Sequence, residues 1–423
     1  MSFFKDLTDR GIIEAKSHEE LDKLLDSEKL RFYCGYDPSA KSLQLGNLFS
    51  IITCMRFQRA GHIPYILVGG ATGMIGDPSG KSSERNLLDM ETLDGNIEAI
   101  KNQLSRFLNF SEGDNKATLV NNRDWWSKLS FLDVLRDIGK RFRVSEMLNK
   151  DSVKSRINSD AGISFTEFSY QILQGYDFAF LNKTYGVNLQ IGGSDQWGNM
   201  TAGTDLTRKM NQSQVFCMTT PLVTDANGKK FGKSEGNAVY LDGDMTSPYK
   251  MYQFLLNSED SIVVKLLKFY TFLSMDEIKA LEEKMQSEPH LRAAQKTLAE
   301  EVVKLVHGEE GLEAALRATK FFFGEAITKI SDKEVAAIFE DVPSVKLDKA
   351  LLEEGIEICE LLVQTPLFPS KKEAKRSLDQ KGVSLNNNKI DDTAMKVTRD
   401  NLVSETSLIL RKGKKNYCVV RFE

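Results

Sequence analysis

Residues 29–70 constrain this chain more than any other part of it: a strand that stops at a proline, a helix directly after it, and a second strand that stops at paired glycines. Residues 29–37 are short and aromatic, and they end at Asp37-Pro38, where proline withdraws the N–H that a ladder needs. Leu45, Leu48, Ile51, Ile52, Met55 and Phe57 then recur at near-helical spacing until Gly61 supplies a stop. Residues 62–68 read as the second strand, closed by Gly69-Gly70. Two strands joined through a helix at this spacing form a parallel βαβ unit. The alternation continues with a strand at 117–120, a helix at about 131–139 and an apolar strand at 187–191 before Gly192-Gly193. The spacing predicts an α/β first half with a doubly wound parallel sheet.

A chain of 423 residues exceeds one ordinary core, so further domains are expected. From about 245 to 336 the pattern is helical throughout, which predicts a separate helical domain. Residues 341–354 have turn chemistry and read as a linker before a small domain at 355–423. The predicted boundaries are 1–222, 223–340, 341–354 and 355–423. The last segment holds 13 Lys and Arg against 9 Asp and Glu, a balance of +4 that leaves −8 on the body. A basic tail on an acidic body suits a polyanion, and it equally suits an ordinary solvated surface. No apolar run is long enough to cross a bilayer, and the first residues lack the character of a targeting peptide, so a cytoplasmic protein is expected. Cys34, Cys54, Cys217, Cys359 and Cys418 lie far apart without a Cys-x-x-Cys pair, which argues for reduced thiols and against a structural metal.

Ligands of open α/β sheets bind beyond the carboxyl ends of the strands. Three such loops stand out. Asp37 to Asn47 runs through Ser39, Gln44 and Gly46 into a helix N-terminus, a place that accepts phosphate but more often is only a cap. Gly69 to Ser82 is glycine-rich, yet its Gly76–Gly80 spacing is one residue short of a Walker A loop; Asp77 stands there as a fixed carboxylate or a turn residue. The third, 191–199, again sets glycines at a strand end before Asp195 and Gln196. On a predicted helix at 165–182, Tyr170, Gln174 and Asp177 share one face, either the solvent side or the wall of a polar pocket. Residues 225–237 form a glycine-rich loop with Lys229, Lys230 and Lys233, suited to closing over a polyphosphate or simply exposed.

Taken together, 33–38, 68–78, 166–170, 192–199 and 230–234 resemble class I aminoacyl-tRNA synthetases, specifically their bacterial tyrosyl branch, in order and spacing over nearly the whole chain. The resemblance implies a Rossmann-like catalytic domain with an inserted dimerisation segment, then a helical anticodon-side domain and an S4-like RNA-binding domain. It implies that L-tyrosine is activated with ATP and Mg²⁺ and transferred to tRNA(Tyr) by a homodimer, without a bound protein metal. Tyr33 and Asp177 would hold the phenol, a pairing able to reject phenylalanine by up to ~10⁵. Asp77, Tyr170, Gln174 and Gln196 would complete the tyrosine site. Gly35, Asp37, Ser39, Gln44, Gly46, Asn47, Asp195 and Ser234 would line the ATP side. Lys81, Arg85, Lys230 and Lys233 would meet the pyrophosphate as catalytic cations, with Gln44 beside them. Lys371, Lys372, Lys375, Arg376, Arg411, Lys412, Lys414 and Lys415 would contact tRNA.

One departure stands out: where that family usually has a His-Ile-Gly-His type signature, this chain reads Gln44-Leu45-Gly46-Asn47, which keeps N–H donors and loses imidazole. A tryptophanyl enzyme and a non-catalytic RNA-binding protein of the same fold are the competing readings.

Overall fold

The computed structural model describes residues 2–79, 88–157, 162–234, 237–325, 330–340, 342–413 and 416–423. The chain divides into two compact units, 1–245 with 257–298, and 246–256 with 299–423.

The first unit is built on a six-stranded sheet of β1 (Ala15–Lys16), β2 (Arg31–Tyr36), β3 (Ile63–Val68), β4 (Thr118–Asn121), β5 (Leu189–Gly193) and β6 (Phe216–Thr220). The order is β1-β6-β5-β2-β3-β4, parallel throughout except for the edge strand β1. The chain lays β2, β3 and β4 outward in one direction and later β5 and β6 in the other. The switch point therefore falls between β2 and β5, the position where open α/β sheets take ligands. The doubly wound sheet is as expected, but β1 and β6 had no reading in the sequence. All five residues of β6 are buried, so it lacks the alternation that marks a half-exposed strand.

The crossover helix Leu45–Arg59 buries apolar residues nearly all round, from Leu45 and Leu48 to Phe57. Its outer side is covered by residues of 257–298: Phe49 stacks on Phe269 at 4.3 Å, and the Tyr270 hydroxyl donates to the Leu45 carbonyl at 3.1 Å. That coverage explains why 257–298 belongs to the first unit and not to a helical domain of its own. The helix Phe165–Tyr185 starts at Ser164, whose hydroxyl accepts from the Glu167 N–H, and ends at Gly186 with φ +68°. It packs against Trp197–Asn211 through Gly175 and Gly203, where a Cβ on Gly203 would meet Phe178 at 3.3 Å. The helix expected at 131–139 is instead one α turn, a π turn at Val134–Ile138 and a 3-10 turn at Gly139–Arg141. Residues 233–234 (β7) and 237–238 (β8) pair as a short hairpin.

The second unit contains β9 (Ser344–Leu347), β10 (Ile356–Glu357), β11 (Val383–Leu385), β12 (Asn388–Lys389), β13 (Lys396–Val397), β14 (Ser407–Lys412) and β15 (Asn416–Phe422). Five of them form a sheet in the order β12-β11-β14-β15-β9. The helices Ile358–Val363 and Lys371–Asp379 share a core with this sheet through Leu361, Leu362, Ala374 and Leu378. Within the expected linker 341–354, residues 344–347 are a strand: β9 pairs in parallel with β15, and Val345 and Leu347 pack on the core. Four residues with two apolar side chains are too short a pattern to announce a strand whose partner lies some seventy residues on. The helical backbone of Ala293–Phe322 is interrupted at Gly308, with φ 74° and ψ −177°.

Candidate active site

At the switch point, β2 presents Tyr33 and, just past its end, Asp37, while β5 leads into Asp195 and Gln196. The stripe Tyr170, Gln174 and Asp177 on the long helix faces this crevice and not solvent, since Tyr170 is 6% and Asp177 2% exposed.

Asp177 lies at the closed end. Its Oδ1 accepts from the indole N–H groups of both Trp125 and Trp126 at 2.8 Å, and its Oδ2 accepts from the Asn122 amide at 3.0 Å. Burial pushes its carboxyl up to about 7, against the pull of those three donors. Tyr33 is 2% exposed, lies edge-on to Phe178 at 5.2 Å, and its hydroxyl has no hydrogen-bond partner among the described residues. Desolvation, and secondarily the Asp177 charge, raise its phenol well above the usual range. A buried hydroxyl left unsatisfied beside a carboxylate is costly unless something else completes it.

A chain of hydrogen bonds runs from this end towards the strand tips. Asn122 accepts from the Ala71 N–H, which turns its amino group toward Asp177 and the Thr72 hydroxyl. Thr72 donates to Asp37 Oδ1 at 2.7 Å, and Tyr170 donates to Asp37 Oδ2 at 2.8 Å. Gly69 is required beside this carboxylate, because a Cβ there would lie 2.1 Å from Asp37 Oδ1. Asp77 accepts from the Ser79 N–H at 2.9 Å and the Gln196 amide at 2.6 Å, and burial raises its carboxyl. Gln174 Oε1 is likewise buried without a partner among the described residues. Thus Tyr33, Asp37, Asp77, Tyr170, Gln174, Asp177 and Gln196 converge from four segments of chain.

Toward the open end, the helix N-terminus at Gln44 is closed by Asn47, whose side-chain oxygen accepts from the Gln44 N–H at 3.0 Å. The lysine-bearing loop is anchored to this helix start. Leu45 N–H donates to Val239 O, Leu241 N–H to Leu43 O, and Phe231, 8% exposed, binds back to Val223. Gly232 has φ +90°, and a Cβ there would meet the Gly46 nitrogen at 3.1 Å. Lys230 Nζ sits 3.3 Å from Asp195 Oδ2, its side chain 46% exposed. Gly35 and Ser39 are exposed at the end of β2. Lys81 and Arg85 lie outside the described residues, as do Lys414, Lys415 and the side chains of Lys233 and Ser234.

In the second unit, Lys371, Lys372, Lys375 and Arg376 are exposed on the helix Lys371–Asp379, with Lys371 paired to Glu360. Arg411 and Lys412 are half-buried on β14; Lys412 donates to the Leu367 carbonyl at 3.1 Å, and Arg411 reaches the Ser384 hydroxyl at 3.4 Å.

Sequence reading passed over Thr72, Asn122, Trp125 and Trp126. Asn121 and Asn122 do follow the expected strand at 117–120, so the strand-end rule pointed at them, whereas nothing local marks the tryptophans.

Residues 25–324 match the family model of class I tRNA synthetases (W and Y), and residues 334–420 match that of the tyrosine–tRNA ligase SYY-like C-terminal domain. A tyrosine–tRNA ligase of Streptococcus uberis is 50% identical over 423 residues, the full length of both chains. Among solved structures, a C-terminally truncated mitochondrial tyrosyl-tRNA synthetase of Aspergillus nidulans superposes with a TM-score of 0.69 at 30% identity, covering 75% of this chain and 93% of its own. Its counterpart from Coccidioides posadasii gives 0.65 at 36% identity, covering 74% and 91%.

Proposed function

The chain belongs to the class I tRNA synthetases of the tryptophan and tyrosine group, and from that premise we propose that it works as a tyrosine–tRNA ligase. L-Tyrosine is activated with ATP to tyrosyl-adenylate and pyrophosphate, and the tyrosyl group is then passed to the 3′ end of tRNA(Tyr). The observation that carries the substrate is the closed end of the crevice, where an unsatisfied Tyr33 hydroxyl and the Asp177 carboxylate await one ligand group that both accepts and donates. A phenol does both. An indole N–H only donates, and a phenyl ring does neither.

The remaining roles follow from donors and acceptors. Tyr170 spends its proton on Asp37, so its oxygen lone pairs are left to accept from the substrate ammonium together with Gln174 Oε1 and the Asp77 carboxylate. Gln196 holds Asp77 in place from the side of β5. Asp37, Gly35, Ser39, Gly46, Asn47 and Asp195 border the nucleotide side. The tyrosine carboxylate is itself the nucleophile, displacing pyrophosphate in line at the α-phosphorus, so no general base is needed and catalysis is positioning with charge stabilisation. Lys230, Lys233, Lys81 and Arg85 are the cations assigned to that charge, with Gln44 offering an amide in place of an imidazole. Mg²⁺ enters as part of the substrate, held on the triphosphate oxygens.

Partners follow from surfaces. Phe131, Leu132, Val144 and Phe165 are each more than 60% exposed within one stretch of the first unit, an apolar set that fits a second copy of the chain and supports a homodimer. The exposed cations of Lys371–Asp379, with the basic end of β14, suit tRNA phosphates. We assign 1–222 to catalysis with its dimer segment, 223–245 to the lysine loop, and the second unit to tRNA, with an S4-like RNA-binding role for the sheet and helices of 342–423. Among the described residues no helix is long and apolar enough to cross a membrane, and a cytoplasmic location accords with the aminoacylation role.

Exchange of labelled pyrophosphate into ATP, run separately with tyrosine, phenylalanine and tryptophan, tests this reading. Exchange with tyrosine alone is expected. Exchange with tryptophan would reassign the pocket, and none from folded protein would favour a non-catalytic RNA-binding role.

A further inference from the structure

We infer that the pocket admits the substrate's ring hydroxyl only while it carries its proton, and that Asn122, Trp125 and Trp126 are the positioning residues that impose this. The inference rests on reading Tyr33 and Asp177 as the phenol-binding pair, and it adds a selection by acidity to the selection by shape.

A carboxylate has about four lone-pair sites. Two of them, on Oδ1, are occupied by Trp125 and Trp126, and a third, on Oδ2, by Asn122. Asn122 cannot turn over to offer its oxygen, because that oxygen accepts from the Ala71 N–H at 2.7 Å. Trp125 is wedged against Phe180 at 4.5 Å and Trp126 against Tyr176 at 5.0 Å, so the two indoles are fixed as well. One acceptor site is left, and it can be satisfied only by a donor. The buried Tyr33 hydroxyl supplies the complementary half by donating to the phenol oxygen.

A phenolate has no proton for Asp177 and brings a second negative charge into a site that excludes water. The titratable groups facing Asp177 are Tyr33 from β2, Asp37 from the loop after it, and Tyr170 and Tyr176 from its own helix. Each of these is neutral or anionic at neutral pH, so none offsets the added charge. Tyrosine itself is unaffected, because its phenol remains protonated well above neutrality. Ring-substituted tyrosines made acidic by electron-withdrawing groups, nitrated tyrosine among them, are rejected in proportion to their ionised fraction.

The test uses the full-length wild-type protein and pyrophosphate exchange across a pH series. Tyrosine is compared with mono-, di- and tetrafluorotyrosine, which differ more in phenol acidity than in size. The shared amino group titrates alike in all four, so the ratio of KM to that of tyrosine isolates the ring hydroxyl. That ratio should rise about tenfold per pH unit above each analogue's own phenol pKa, with kcat at saturation unchanged. A ratio independent of pH, with normal tyrosine exchange, overturns the inference and leaves the ligase reading intact. No exchange with tyrosine overturns both. In Asp177→Asn the amide can donate to a phenolate, so the tetrafluoro analogue should lose its pH penalty. Trp126→Phe removes one donor and makes the carboxylate easier to protonate, which should move the acid limb of kcat/KM for tyrosine itself to higher pH. An unmoved acid limb in Trp126→Phe would remove Trp126 from the positioning set even if its KM values changed.

Discussion

The two ends of the crevice are built on opposite principles. At the phenol end, Tyr33 and Asp177 are 2% exposed and Asp177 is held by three side chains drawn from another part of the chain. At the phosphate end, Lys230 is 46% exposed and meets Asp195 only at 3.3 Å, on a loop anchored by backbone hydrogen bonds. On the proposed assignment of phenol and phosphate, the contrast follows from what each end has to recognise. Distinguishing a hydroxyl from a hydrogen requires dry, fixed partners, because water would otherwise satisfy whatever the ligand leaves open. Neutralising a polyphosphate requires a cation free to meet it, and an exposed lysine supplies that without a buried-charge penalty.

Removing Asp177 should break the contrast most severely. Asp177→Ala leaves the indoles of Trp125 and Trp126 and the Asn122 amide without their acceptor, at about 1–3 kcal/mol for each buried donor that finds no water. We expect a lowered thermal midpoint and a loss of more than about 10³ in kcat/KM for tyrosine, read by melting and pyrophosphate exchange. If stability fell while the ratio of tyrosine to phenylalanine use stayed unchanged, Asp177 would be only a structural carboxylate.

Lys230→Ala probes the opposite end and should leave stability unchanged. Its expected effect is a fall of about 10²–10³ in kcat with little change in the tyrosine KM, since charge stabilised only in the transition state acts on kcat. A large rise in the tyrosine KM would mean that the two ends are not separable.

Tyr33→Phe sharpens the comparison by deleting an unsatisfied group. Stability should hold or increase, because the hydroxyl has no partner to lose. Discrimination against phenylalanine should nevertheless drop, by about 10-fold or more in the ratio of kcat/KM values.

The smallest effect concerns pH. His62 is buried at the foot of β3, accepts the Leu30 N–H on Nδ1, and burial lowers its pKa to about 4 from an ordinary value near 6.5. Between those values the unfolded chain binds a proton that the folded protein refuses, so stability falls as pH drops from 6.5 toward 4. Asp177 works in the opposite sense. Its folded pKa of about 7 lies above the ordinary 3.8, so acidification through the same range relieves a buried charge. Melting curves of the wild type and of His62→Asn from pH 7 to pH 4 separate the two, the variant being expected to lose less stability on acidification. Equal losses would assign the acid sensitivity elsewhere.

Much of the phosphate end was readable in the sequence because its pieces are local. Gln44, Gly46 and Asn47 occupy one helical turn, and the glycine and lysine spacing of 228–233 lies in one loop. The stripe of Tyr170, Gln174 and Asp177 was equally legible from helical periodicity, although periodicity could not say whether it faced water or a pocket. The network that holds Asp177 was not legible. Asn122 and Asp177 are separated by 55 positions and Tyr170 and Asp37 by 133, and no residue type or spacing records such a pairing. The linker reading of 341–354 failed for the same reason, since β9 exists only because β15 lies beside it.

By itself, then, the sequence determined the alternation of strands and helices, the strand stops at Pro38 and Gly69, and the chemistry available in each loop, because these depend on backbone preference and on neighbours a few residues away; the stop expected at Gly192 did not hold, since β5 runs on through Gly193. Tertiary structure alone decided which strand lies at the switch point, which polar groups are stripped of water, and which donors close around Asp177. Burial and hydrogen-bond satisfaction belong to the packed assembly of distant segments, and no single segment carries them.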